Sequence, residues 1–295
     1  MAKYDHAAPF VPRSSDSTEV VAPATPHDAD VYDRFGYLFL ENLFSMQEIE
    51  NIKACMPEIL RERTERTVLE ASQRTVRSVY GIHQHHPVFA NLARHPRLVH
   101  RARALLRGDV YVYQSKLNTK SAVEGDVWPW HQDYVYWLCE DAMPAPRALT
   151  VAVFLDDVNE LNGPMMLVPS SHHAGVLPFE TADGLPPGYD DGPRWLPNLV
   201  AKLKYTLEKE AFIDLARANG IVAAKARAGA ALFFDCNLAH ASAPNLSPFD
   251  RSLAFMTYNR VDNAPPASAL HRPDFLASRD TRPTVPVADP VFQLA

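Results

Sequence analysis

Cysteine is scarce in this chain, long apolar runs are missing, and no dense block of lysine and arginine occurs. The three cysteines, Cys55, Cys139 and Cys236, are odd in number, far apart and outside any CxxC pattern. They argue against a disulfide framework or a zinc knuckle and read as the reduced thiols of a cytoplasmic protein. No stretch reaches the roughly 18 apolar residues of a membrane span, and Met1 to Val21 lack the apolar centre of a secretion signal. A formal charge of −6 without a basic cluster gives no electrostatic reason to expect nucleic acid or an anionic membrane as partner. A small molecule is the expected ligand. Internal repeats are absent, and nothing in the sequence speaks to oligomeric state.

What is present is ample core material: 295 residues, 47% hydrophobic and 10% aromatic, enough to fold without staples, so that a metal would serve chemistry. Residues 1–27 mix Pro, Ser, Ala and charge without period and read as a flexible leader; residues 28–295 read as one domain. Ser45 and Glu48 form a capping box ahead of Ile49, Ile52, Met56 and Ile59, apolar positions on one helical face. A second helical stretch is expected over Pro87–Leu106, interrupted near Pro96. From Asp109 the texture changes to short runs, VYVYQSKL, ALTVAVFLDD, PMMLVP, AALFFD and SLAFMTYN, punctuated by turns such as Asn162-Gly163. A polar insert over residues 183–195 is a lid candidate, followed by an expected helix from Leu196 to Ala218. Helices first and strands afterwards, without βαβ alternation, predict a mainly β sandwich or jelly roll buttressed by N-terminal helices.

The chemistry centres on Trp128-Pro-Trp-His-Gln-Asp133. On extended chain, His131 and Asp133 project to the same side, so an imidazole and a carboxylate can chelate one ion. With 12 histidines in the chain, about one HxD is expected by chance. The second cluster, FFDCNLAH ending in His240, changes the reading. Two histidines and one carboxylate on one face of an octahedral ion leave three positions open, the pattern of iron(II) oxygenases. 2-Oxoglutarate would fill two of them and dioxygen the third. The far carboxylate of 2-oxoglutarate requires a rigid bidentate donor; Arg251, eleven residues after His240, and Ser242 are placed to converge on it.

Taken singly, His131 and His240 are ordinary buried histidines; the joint pattern with Asp133 and Arg251 reverses that. His83, His85 and His86 have metal-like spacing but lie at a strand-to-helix junction and read as polar loop residues, and His172 reads as structural. Trp128 and Trp130 read as core filling, Arg260 as a solvent-facing strand end.

GDVYVYQSKLNTK, GDVWPWHQDYVYW, EDAMP, NGPMMLVPSSH, FFDCNLAHASAPNLSPFDR and TYNRVDNAPP together resemble the phytanoyl-CoA-dioxygenase-like branch of iron(II)/2-oxoglutarate oxygenases, over about residues 30–280. The resemblance implies a double-stranded β-helix, or cupin-type jelly roll, and a dioxygenase that uses Fe(II), 2-oxoglutarate and O2, with ascorbate supportive. It places Gln114 and Asn118 with Arg251 and Ser242 around the cosubstrate, and Trp137 and Lys116 toward the prime substrate. Halogenating relatives replace the carboxylate ligand by a small residue; Asp133 is present here, which favours hydroxylation. Within the branch the motifs are most similar to hydroxylases of small free amino acids. L-Proline at C4 (trans) is the first expectation, an ectoine-type or other amino-acid hydroxylase the second, and a non-catalytic cupin-like metal or ligand binder the alternative of another class. A zwitterionic substrate needs a cation and an anion, for which Lys116, Arg77, Glu140 and Asp141 are available.

Overall fold

The computed structural model describes residues 13–14, 24–184, 189, 192–269, 271–288 and 292. Its first part runs β1 (Arg13–Ser14), α1 (Pro26–Phe35), β2 (Tyr37–Glu41), α2 (Met46–Ala54), α3 (Met56–Arg61), β3 (Thr67–Leu69), β4 (Val76–Tyr80), α4 (Ile82–His85), α5 (Pro87–Ala93) and α6 (Pro96–Leu106). There follow β5 (Val110–Lys120), β6 (Trp128–His131), α7 (Asp133–Asp141), β7 (Ala148–Phe154), β8 (Met165–Leu167), β9 (Phe179–Thr181) and β10 (Tyr205–Leu207). The last elements are α8 (Lys209–Asn219), β11 (Val222–Ala224), β12 (Ala231–Asp235), β13 (His240–Ser242) and β14 (Arg251–Arg260).

Eight strands form a large sheet in the order β1-β2-β12-β7-β14-β5-β4-β3, and β11-β8-β13-β6 form a smaller one. Apart from the parallel β1–β2 pair, the pairings are antiparallel. The arrangement is the cupin-type jelly roll with helices packed on its outer face. The central strands β7, β12 and β14 are buried almost throughout because both faces are covered. Along β7, Leu149, Val151 and Val153 pack against the helices, whereas Ala152 and Phe154 point into the space between the sheets. On β12, Ala231 and Phe233 face the helices, and Leu232 and Phe234 face inward. Phe233 is fully buried, so Phe233→Ala should cost about 3–5 kcal/mol, read from the shift of a urea unfolding curve at constant slope. A loss below about 1 kcal/mol would contradict the helix-backed layer.

The capping box forms as expected, with Ser45 Oγ accepting from the Glu48 amide at 3.3 Å and the Ser45 amide donating to Glu48 at 2.7 Å. Pro96 does interrupt the second stretch, and His95 caps α6 through Nδ1. Two expectations change. The helix from Leu196 is instead a short 3-10 turn over Leu196–Asn198, then β10, then α8. Pro197 removes a helical donor, and Tyr205 and Leu207 are claimed by pairing with β9. The stretch read as leader lies mostly outside the described residues, but α1 begins at Pro26, where Thr25 and Asp28 form a further capping box. Of the lid candidate, 185–188 and 190–191 lie outside the described residues. The three cysteines are free, and among the described residues no helix is long and apolar enough to cross a membrane.

Candidate active site

His131 ends β6, and His240 opens β13. The two strands pair antiparallel with these residues directly opposite, which brings the imidazole centroids to 4.2 Å. Asp133 starts α7, so the chain turns from strand to helix between the two members of the HxD pair and swings the carboxylate back toward both rings. Asp133 Oδ1 lies 3.6 Å from His131 Nε2 and 3.8 Å from His240 Nε2. Two donors each about 2.1 Å from one ion are at most about 4.2 Å apart, so a single metal fits these separations. His131 Nδ1 sits 2.7 Å from the Pro129 carbonyl and His240 Nδ1 2.9 Å from the Leu238 carbonyl. Each Nδ1 therefore carries the proton, and each Nε2 presents its lone pair to the shared point. Thr150, tied to Thr257 at 2.9 Å, touches the other carboxylate oxygen.

Electrostatics favour the ligating protonation states. Burial and the neighbouring His131 push His240 down to about 4, a neutral imidazole at pH 7. Burial works against ionising Asp133, yet His240, His131 and Lys116 outweigh it and keep the carboxyl below its usual range. Among the described residues these three are the one His/Cys/Asp/Glu group with metal-binding geometry. His83 instead meets Ser115 Oγ at 2.6 Å, His86 caps α5, and His172 bonds the Asp33 carbonyl at 3.0 Å.

Two small cavities flank the triad and share Lys116, Trp128, His131 and Asp133. The first, about 30 Å³, is lined by Asn118, Ser242 and Arg251 together with Met165, Phe234 and Phe255. Arg251 is 1% exposed and, among the described residues, has no carboxylate partner. Its guanidinium donates to Asn118 Oδ1 at 3.0 Å and to the Gly163 carbonyl, while its Nε is buried without a partner. Burial, opposed by Asp156 and reinforced by Arg77, pushes it down to about 9. A buried cation in that state is stabilised by an incoming anion. Gly163 is needed at its turn: φ is +76°, and a Cβ there would lie 2.6 Å from the Ala243 carbonyl.

The second cavity, about 30 Å³, is lined by Tyr80, Gln114, Tyr136, Trp137, Asn198, Leu199, Leu203 and Arg272. Gln114, expected beside Arg251, lies here instead, its amide donating to the Leu276 carbonyl at 2.7 Å; four residues along β5 separate it from Asn118, enough to cross from one cavity to the other. Trp137 lines the same cavity, edge-on to Tyr113. Lys116 stands between the rings of Trp128, Phe255 and Tyr80, its Nζ 4.9, 5.0 and 5.8 Å from their centroids, and burial lowers its pKa. Trp128, expected as filler, is held between Lys116 and Arg77, whose Cζ lies 3.9 Å from its ring. Glu140 and Asp141 do not line this cavity. Glu140 bonds Lys204 and Tyr205, and Asp141 pairs with Arg272 while accepting from Tyr113. Arg77 is paired with Glu70, and Arg260 with Asp262 near the surface. Arg272 and Asn198 were missed in the sequence because neither belongs to a periodic or motif-bearing stretch.

The model for the family described as phytanoyl-CoA dioxygenase (PhyH) matches residues 32–253. The chain belongs to this family. It is 41% identical to the L-proline trans-4-hydroxylase of Streptomyces griseoviridis over 88% of this chain and 95% of that protein. It is 38% identical to the ectoine dioxygenase of Bordetella parapertussis over 84% and 80%. A crystal structure of EctD from S. alaskensis with 2-oxoglutarate and 5-hydroxyectoine superposes with a TM-score of 0.73 at 32% identity, covering 94% of this chain and 89% of that one. The protein is thus an iron- and 2-oxoglutarate-dependent dioxygenase of the hydroxylase type, acting on a small molecule, and the non-catalytic alternative falls away.

Proposed function

We propose that this dioxygenase hydroxylates a small free amino acid, L-proline at C4 (trans) first, with iron held by His131, Asp133 and His240. The observation that carries the reading is the second cavity: small, walled by Tyr80, Trp128, Tyr136 and Trp137, adjoining the triad, and supplied with two cations, Lys116 and Arg272. Two cations suit one carboxylate, and so small a space between aromatic walls suits a small molecule rather than a coenzyme A thioester. Burial works against the charge of Arg272, but Tyr113 and Asp141 outweigh it and raise its pKa, so this cation stays charged.

Iron(II), when bound, supplies the redox chemistry that couples dioxygen and 2-oxoglutarate to attack on an unactivated C–H bond. The protein's own residues do the rest. Arg251, Ser242 and Asn118 take the distal carboxylate of 2-oxoglutarate in the first cavity. Arg272 and Lys116 orient the substrate carboxylate, Trp137 and Tyr136 fix the ring and exclude water, and Gln114 faces the substrate from β5. An ectoine-type substrate is the second reading, favoured by the several ectoine dioxygenases among the relatives. The test is a panel of free amino acids, ectoine and acyl thioesters with Fe(II), ascorbate and 2-oxoglutarate, products read by mass. A gain of one oxygen on L-proline is the expected result; a gain on ectoine alone, or on no free amino acid, would overturn the proline assignment.

A further inference from the structure

Asn198 is 4% exposed and lines the second cavity, yet among the described residues neither its Oδ1 nor its Nδ2 has a hydrogen-bond partner. A buried amide left so costs roughly 1–3 kcal/mol unless a ligand satisfies it. Its backbone is fixed: Asn198 closes the 3-10 turn Leu196–Asn198, its N–H donating to the Trp195 carbonyl at 3.1 Å. The side chain is therefore presented, not accidental to a loose loop. Around the same cavity, the other polar groups are largely spent. Arg272 is engaged by Asp141, the Tyr136 hydroxyl donates to the Tyr205 carbonyl and accepts from the Tyr205 amide, and Gln114 gives its amide nitrogen to Leu276.

Charge makes the consequence specific. The cavity lining holds two cations, Lys116 and Arg272, and one carboxylate, Asp133, which belongs to the metal triad. A zwitterion would have its carboxylate met by the cations but no free anion for its ammonium. A neutral acceptor must meet it: Gln114 spends its amide nitrogen on Leu276, and among the described residues Asn198 is the lining amide with both polar atoms buried and unpartnered.

We propose that Asn198 is a specificity-determining residue: its Oδ1 accepts the N–H of the substrate's ammonium, and its Nδ2 is left to donate to the substrate carboxylate. The proposal rests on the amino-acid reading above and narrows it. The enzyme selects substrates that carry an N–H beside a carboxylate, and rejects ring carboxylates that lack the nitrogen.

The test compares L-proline with cyclopentanecarboxylate, which keeps the ring and carboxylate but has no nitrogen. Anaerobic titration into the iron- and 2-oxoglutarate-loaded protein reads both dissociation constants without turnover. In the unaltered enzyme L-proline should bind about tenfold or more tighter, as a hydrogen bond to a charged group requires. Asn198→Leu, similar in volume and apolar, should bring the ratio to within about threefold, and the KM for L-proline should rise by a like factor with kcat changed far less. Asn198→Asp retains the acceptor and adds charge, so it should hold L-proline and weaken cyclopentanecarboxylate, widening the ratio. A pocket merely misshapen by substitution would weaken both ligands alike. An unaltered ratio in Asn198→Leu would overturn the proposal while leaving the amino-acid reading intact; an unaltered enzyme that neither binds nor hydroxylates any free amino acid would remove both.

Discussion

Asp133→Ala is expected to lower succinate release by about a thousandfold or more, with the fold intact by circular dichroism. Asp133 is the one anionic donor of the triad, so its loss leaves a dication on two neutral imidazoles. It also removes the charge opposite Lys116 and the group that Thr150 touches. His131→Ala and His240→Ala should behave alike, because each removes a donor whose tautomer is already set by a backbone carbonyl. The variants should also bind less iron, measured by metal analysis after gel filtration. Full turnover by Asp133→Ala with iron retained would show that the triad is not the metal site.

Arg251→Ala should act on the cosubstrate. Truncating one partner of a buried, hydrogen-bonded charge pair costs about 2–5 kcal/mol, so the KM for 2-oxoglutarate should rise about 30- to 4,000-fold, with a much smaller effect on the prime substrate's KM. Part of the penalty arises without ligand, since Asn118 Oδ1 and the Gly163 carbonyl lose their donor. Arg251→Lys should restore little, because an ammonium cannot reach Asn118, Gly163 and a carboxylate through one planar fork. A 2-oxoglutarate requirement unchanged in Arg251→Ala would remove Arg251 from the cosubstrate's path.

Local features of the sequence carried much of this site. The HxD pair, His240, Ser242 and Arg251 lie in short ordered motifs, at the end of β6 and the first turn of α7, on β13 and at the start of β14. The capping box and the strand runs were legible for the same reason: each is decided within a few residues. What was not legible depends on long-range pairing. Strand β2 sits between helices in sequence yet joins the large sheet beside β12. Tyr205 and Leu207 read as part of a helix until β9 claims them. Gln114 and Asn118 look alike on β5, but which cavity each reaches depends on what the facing sheet and the 192–204 segment close off. Arg272 and Asn198 come from irregular chain, whose side-chain placement no periodicity encodes.

The two histidines of the proposed iron site and the proposed anchor Arg251 lie on different sheets, while Ser242 sits on the histidines' side. His131 and His240 lie on the small sheet, Arg251 and Asn118 on the large one. A 2-oxoglutarate chelated at one end and held by Arg251 at the other would clamp the open edge of the sandwich, a removable cross-link between its two leaves. Binding free energy would then count as cohesion between the sheets, and each turnover, which cuts the cosubstrate into succinate and carbon dioxide, would sever that cross-link and free the mouth to part for product.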